Sequence, residues 1–311
     1  MARTFQFRPR LRRIFERLDP SALSFSQDDL ELTAADVGLE SPSRTHLAFG
    51  IYSPEGVQRA LTAYGLFRQL ADRGLREVEV RLELDDPFRP RFMVWSVPHH
   101  LPVIDVTLSR VSGAQLGLVE DAAHAPLLFI ESIQLQHPAR AFDWTRPPLP
   151  EQARPGLSLF SEVIQVLALL GKRIGADGVG LVPSSFHAAW IYERYFQFVD
   201  QLAQGRFEAL RYSWRLRPLW LLSWAIALGC ARAGDGRPYA YAPGPMLCPL
   251  TDALARVLEA RAYVEAVRRE AVTPYEIDWA RLRERFPWEQ MPPEPPPERL
   301  RAVLGTRPKP R

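Results

Sequence analysis

Glu151-Gln152-Ala153-Arg154-Pro155-Gly156-Leu157-Ser158 stands at the start of a run with helical periodicity, Leu157 to Ile174. The first turn of a helix carries unpaired amide N–H groups and the positive end of the helix dipole, so a phosphate is favoured there. Gly156 allows close backbone approach, Leu157, Ser158 and Leu159 lead into the helix, and Arg154 or Gln152 can reach a phosphate oxygen. Pro155 removes one donor at the mouth, and a proline near the first turn is equally what a helix start without a ligand shows. Glu131 sits in the otherwise apolar run LLFIESIQLQ, where burial would raise its pKa and suit it to act as a base near neutral pH. The other reading turns Glu131 to solvent on the polar side of the alternation. Tyr192, on a helix read over Ser185 to Tyr195, is either a proton donor or a core aromatic with its hydroxyl satisfied locally.

Other chemistries lack an anchor. Cys230 and Cys248 are far from any CxxC spacing, and the six histidines form neither HExxH nor an HxH pair with a carboxylate, so no metal site is expected. GxSxG, Walker and GxGxxG patterns are absent, which removes hydrolase, NTPase and dinucleotide readings. The net charge of +3 comes from 39 basic and 36 acidic residues, and Lys172 and Lys309 are the only lysines. With Asn absent as well, this usage reads as a coding bias over a mixed surface, and nucleic acid is not an expected partner. Among uncharged stretches, Pro218 to Ala231 is the most apolar, and it falls short of the ~18–20 apolar residues of a span. The basic start MARTFQFRPRLRRIFERL lacks the apolar core of a secretory signal, so a cytoplasmic protein is expected.

The elements that would position these residues follow in order. His46 to Tyr52 reads as a short strand, and Ser53-Pro54-Glu55 then gives a helix a capping hydroxyl, a first-turn proline and an acid. Gly74 stops it. Glu77 to Leu84 alternates apolar and charged residues, and Phe92 to Val97, Val103 to Leu108 and Leu127 to Gln136 read as further strands of an antiparallel meander. After a proline-rich connection come the helix to Ile174, a buried strand Gly178 to Val182, the helix to Tyr195 and a short strand Phe196 to Val199. Beyond Asp200 the chain turns to helices rich in Arg, Trp and Ala, with a loop at Gly236 to Pro249 and one amphipathic helix over Leu250 to Val272. The run MPPEPPPERL reads as an exposed tail without regular structure.

This order, with a strand before the Gly156 segment and the pattern Ser185-x-x-Ala188-x-x-x-Tyr192, resembles the GNAT superfamily of acyl-CoA-dependent N-acyltransferases. The resemblance covers roughly His46 to Asp200 and is sharpest over Leu127 to Asp200. In that family a bulged strand and a loop Gln/Arg-x-x-Gly-x-Gly/Ala lead into the helix that holds the cofactor pyrophosphate. A second helix, with the form Asn-x-x-Ala-x-x-x-Tyr-x-x-x-Gly-Phe, packs over the pantetheine, and its Tyr protonates the departing thiolate. This sequence departs from the pattern: Gln152 is four residues before Gly156, Ser185 replaces Asn, and Phe196-Gln197 replaces Gly-Phe.

The resemblance implies a fold of the α/β (α+β) class, a mixed and mainly antiparallel sheet flanked by helices. It would span 46–200, after an arginine-rich segment over 1–45 and before a helical extension over 201–290 and a Pro-rich tail over 291–311. It implies acetyl-CoA or another acyl-CoA as cosubstrate and an amine as acceptor, small molecule or protein. Gly156 to Phe160 would cradle the pyrophosphate, Ile133 to Gln136, Leu135 included, would pair with the pantetheine, Tyr192 would be the general acid and Glu131 the base. His187 is a secondary candidate for substrate contact. The departures equally suit a scaffold without chemistry that serves as a binding or assembly module, its groove filled by Phe196 and the long insertion after His137. A protein partner or a homodimer through the C-terminal helices, and a membrane-surface contact near Trp214 to Trp224, complete the alternatives.

Overall fold

The computed structural model describes residues 4–24, 47–86 and 88–305. The remainder of the N-terminal segment, including His46, and the tail from 306 lie outside the described residues. Helix α1 (Pro9–Arg17) and the short α2 (Ser21–Ser24) precede α3 (Pro54–Tyr64) and α4 (Leu66–Ala71). Strands β1 (Val78–Glu83), β2 (Arg91–Ser96), β3 (Leu101–Ser112) and β4 (Pro126–Leu135) follow, then α5 (Phe160–Arg173), β5 (Gly178–Leu181), α6 (Phe186–Tyr192) and β6 (Gln197–Phe198). The C-terminal part holds α7 (Gln201–Trp214), α8 (Leu219–Ala227), β7 (Ala231–Ala233), β8 (Met246–Pro249), α9 (Asp252–Glu259), α10 (Arg261–Glu270), β9 (Tyr275–Ile277), α11 (Trp279–Arg285) and α12 (Glu298–Leu304).

The main sheet has seven strands in the order β1-β2-β3-β4-β5-β8-β6. Only the β4–β5 pair is parallel. That arrangement needs a crossover, and α5 provides it, burying Val163, Ile164, Leu167 and Ala168 along one stripe. One large core lies on the face covered by α3 and α5 and includes Val94, Val106, Leu108, Leu128 and Ile130. A smaller one on the opposite side joins Leu127 to Leu116, Leu247, Leu254 and Leu258. A third, around Trp220, Trp224, Phe286 and Trp288, belongs to the C-terminal region.

Local chemistry explains where α3 begins and ends. Ser53 Oγ accepts from Gly56 N–H at 2.9 Å, Pro54 occupies the first turn, and Gly65 closes the helix in the left-handed region at φ 81°. That break at Gly65 divides what the sequence suggests is one helix running to Gly74. Four other readings need correction. The expected strand ending at Tyr52 is a tight reversal held by a single Ala48–Tyr52 bridge, with Phe49 and Gly50 both at positive φ. The loop at Gly236 to Pro249 ends in β8, which pairs with both β5 and β6. The helix expected over Leu250 to Val272 breaks at Ala260, whose ψ of 136° is extended. Finally, the proline run is not an exposed tail: Met291, Pro292 and Pro296 are buried, and α12 packs Leu300 and Leu304 into the aromatic cluster. Prolines carry no N–H to satisfy, so an extended proline segment can lie against apolar rings without stranding a donor.

Candidate functional site: a bulged strand beside a cationic helix start

The register of β4 against β3 slips at one residue. Thr107 faces Ser132 and Leu108 faces Ile130, so Glu131 is the extra residue of a β-bulge. The bulge restores the alternation of a strand whose apolar spacing changes parity: Leu128 and Ile130 before it, and Ile133 and Leu135 after it, all pack on the large core. The parallel ladder with β5 runs from Leu127–Gly178 to Ile130–Leu181 and stops at the bulge. Gln136 N–H bonds to Val103 C=O in β3, so by the alternation of the ladder Ile133 and Leu135 turn their backbone groups toward the side that β5 has left.

Part of that edge is already used. Leu157 N–H bonds to Leu135 C=O and His137 N–H to Pro155 C=O, making the Gln136–Gly156 bridge the closed base of the insertion. The expected pairing edge from Ile133 to Gln136 is therefore shorter. Leu135 keeps its N–H but its carbonyl is taken, while Ile133 has no backbone partner on the β5 side among the described residues.

The insertion itself reaches the C-terminal region. Trp144 packs edge-on against Trp220 and Trp288 and donates its indole N–H to Glu294 C=O at 2.8 Å. Trp224 in turn donates to Pro148 C=O at 2.9 Å. His137 is buried and fixes the base, its Nε2 lying 3.0 Å from Arg73 C=O.

The start of α5 gathers positive charge. Ser158 sits at φ 56°, a left-handed conformation unusual for a residue with a side chain, immediately before the helix cap Leu159. Arg73 donates to Leu157 C=O at 2.8 Å and Ser158 C=O at 3.4 Å, and Arg146 donates to Ser158 Oγ at 3.1 Å. Arg8 donates to Ser161 Oγ at 2.7 Å and pairs with Glu162 at 2.9 Å. Among the described residues, no side chain caps the helix. Gln152 spends its Oε1 on Leu149 N–H, whereas Arg154 is exposed and has no side-chain partner among the described residues. Nothing in the chain itself demands glycine at 156: its φ is not positive, and an added Cβ would meet Leu135 C=O at an ordinary 3.6 Å.

Tyr192, in the last turn of α6, stacks on Phe160 with ring centroids 4.8 Å apart. Its hydroxyl has no hydrogen-bond partner among the described residues and is not sealed from solvent. Burial of the ring pushes its pKa up to about 12, so it stays protonated throughout the physiological range. Ser185 caps α6, accepting from Ala188 N–H at 3.3 Å, and lies 3.0 Å from His187 Nε2. Burial lowers the His187 pKa to about 4, leaving a neutral ring at neutral pH. Phe196 is fully buried, 6.4 Å from Tyr192 between ring centroids.

Glu131 departs from expectation. The carboxylate receives the Arg89 guanidinium through both Nε, at 2.8 Å, and Nη2. Its pKa is lowered, chiefly by the Arg89 hydrogen bond, rather than raised by the surrounding strand. Arg89→Leu is expected to return the Glu131 titration upward to or above the ordinary carboxylate range, as followed by carboxyl NMR. The sign follows from the cause: the ionised form loses its donor while the partial burial remains. An unchanged titration would mean that Arg89 does not hold the carboxylate in solution.

Arg73, Arg146 and Arg89 had no local signal in the sequence, since each meets its partner through the fold. No protein-family model and no curated protein matches this chain. Among the described residues, no group of three or more His, Cys, Asp or Glu is arranged to hold a metal, and no helix is long and apolar enough to cross a membrane.

Proposed function

We propose that the chain is a GNAT-like N-acyltransferase that transfers an acyl group from coenzyme A to an amine. The observation that carries this reading is the end of the β4–β5 ladder at the Glu131 bulge, beside a helix start without a side-chain cap that is dressed by Arg73 and Arg146. The free N–H and C=O of Ile133 suit an extended amide-bearing arm such as pantetheine. The amide groups from Gly156 to Phe160, with Arg154, suit the pyrophosphate.

The chemistry assigned to the site is an attack of the amine nitrogen on the thioester carbonyl, followed by cleavage of the C–S bond. Tyr192, neutral and with an unengaged hydroxyl, donates its proton to the leaving thiolate. Glu131 is already held as a carboxylate by Arg89, which makes it a weak base, so the proton of the amine passes to solvent water.

The test is calorimetric titration of the full chain with acetyl-CoA and with free CoA, repeated on Gly156→Trp. Micromolar binding by the wild type that the substitution abolishes is the expected result. Because the chain makes little demand on position 156, a folded Gly156→Trp protein with unchanged affinity would remove the cofactor assignment. A second reading, a binding module without chemistry, is favoured by the Leu157–Leu135 pairing, which consumes part of the β4 edge. Absence of heat and of thermal stabilisation at millimolar CoA would select it.

A further inference from the structure

On the core side of the sheet an apolar cavity of about 90 Å³ lies between α3, α5 and strands β2 and β3. Among the described residues its lining has no charged residue, and the only side-chain oxygens there belong to Tyr52 and Tyr64. It therefore takes an uncharged hydrocarbon and offers nothing to a charged end. Along α5 it extends from Val163 to Leu170, about 10 Å at the helical rise.

The near end adjoins the site described above. Val163 comes one turn after Phe160, the residue on which Tyr192 stacks. Ile104 and Val106 in the lining are the cross-strand neighbours of Leu135 and Ile133. A group carried from the β5 side of β4 onto the core face would reach the cavity beneath α5 by passing the side chains of Ile133 and Leu135, which pack on the same core.

Resting on the acyltransferase reading, we infer that this cavity receives the hydrocarbon chain of the acyl donor, making a short-chain acyl-CoA with several methylene groups the substrate in place of acetyl-CoA. Size sets the class. An apolar cavity of ~150 Å³ holds the six carbons of a benzene ring, so about 90 Å³ holds roughly four: the whole butanoyl tail, most of a hexanoyl tail and only a small part of a palmitoyl chain.

The experiment is calorimetry of the full chain with CoA and its acetyl, butanoyl, hexanoyl and palmitoyl esters. Each buried methylene is expected to tighten binding about fourfold. Affinity should therefore rise by roughly an order of magnitude from acetyl to butanoyl and by about fourfold more to hexanoyl, then fall for palmitoyl. Val166→Phe, which fills the cavity from a half-buried position, is expected to bring hexanoyl-CoA back to the acetyl-CoA value while leaving acetyl-CoA unchanged. Ala60→Leu fills it from α3 and serves where a melting curve shows that Val166→Phe is unfolded. Equal binding of acetyl and hexanoyl esters overturns the cavity assignment and leaves the acyltransferase reading standing. Failure of every CoA species to bind overturns both.

Discussion

On the acyltransferase reading proposed above, Tyr192→Phe is expected to lower kcat for acyl transfer by about two to four orders of magnitude, while the affinity for CoA and its esters changes little. The separation of the two effects follows from the geometry. The ring does the packing, through its stack on Phe160, and phenylalanine keeps that contact. The hydroxyl has no partner among the described residues, so its removal leaves none of their buried groups stranded and takes away only the proton assigned to the leaving thiolate. With the Tyr192 pKa raised to about 12, wild-type kcat should show no decline from deprotonation of this group at pH 8–10. Single-turnover measurements across that range check both statements. A variant with wild-type kcat would remove Tyr192 from the chemistry, and a variant that binds CoA poorly would make it a positioning residue.

Phe196→Ala is expected to cost about 3–5 kcal/mol of folding stability, read as a shift of the urea midpoint at constant m-value. Phe196 is fully buried in the large core, and its ring is tilted against that of Tyr192. Against a total stability of about 5–15 kcal/mol for a typical domain, such a loss is a large fraction. A loss under about 1 kcal/mol would mean that the surrounding side chains collapse into the space.

How far the sequence reaches depends on how local each determinant is. The start of α3 was legible because its cap, proline and first-turn acid are consecutive residues, and β1 because one face repeats every second residue. The bulge at Glu131 left a trace as well, in the three-residue step from Ile130 to Ile133 within a two-residue alternation. By contrast β8 has four residues inside a glycine- and proline-rich run, and its strand character comes from partners around Gly178 and Gln197. The break at Ala260 involves neither glycine nor proline, and nothing in the structure explains it. Glu131 shows the same limit at the site. Burial in an apolar strand predicts a raised pKa, and the residue that reverses the sign, Arg89, comes from the turn before β2.

The placement of β8 between β5 and β6 has a consequence during synthesis. β5 has β4 beside it, but its other edge and the whole of β6 must wait for Met246–Pro249 to emerge, and β6 has no other strand partner. At a typical translation rate of about 5–20 residues per second, that wait lasts several seconds. Through this interval the nascent chain presents the apolar Gly178–Leu181 edge unpaired, a template for wrong pairing with a neighbouring chain. The arrival of β8 also gives Phe5 its backbone acceptor, Pro249 C=O, so this one contact forms only after about four-fifths of the 311 residues have been made, while Arg8 already has its partners on α5.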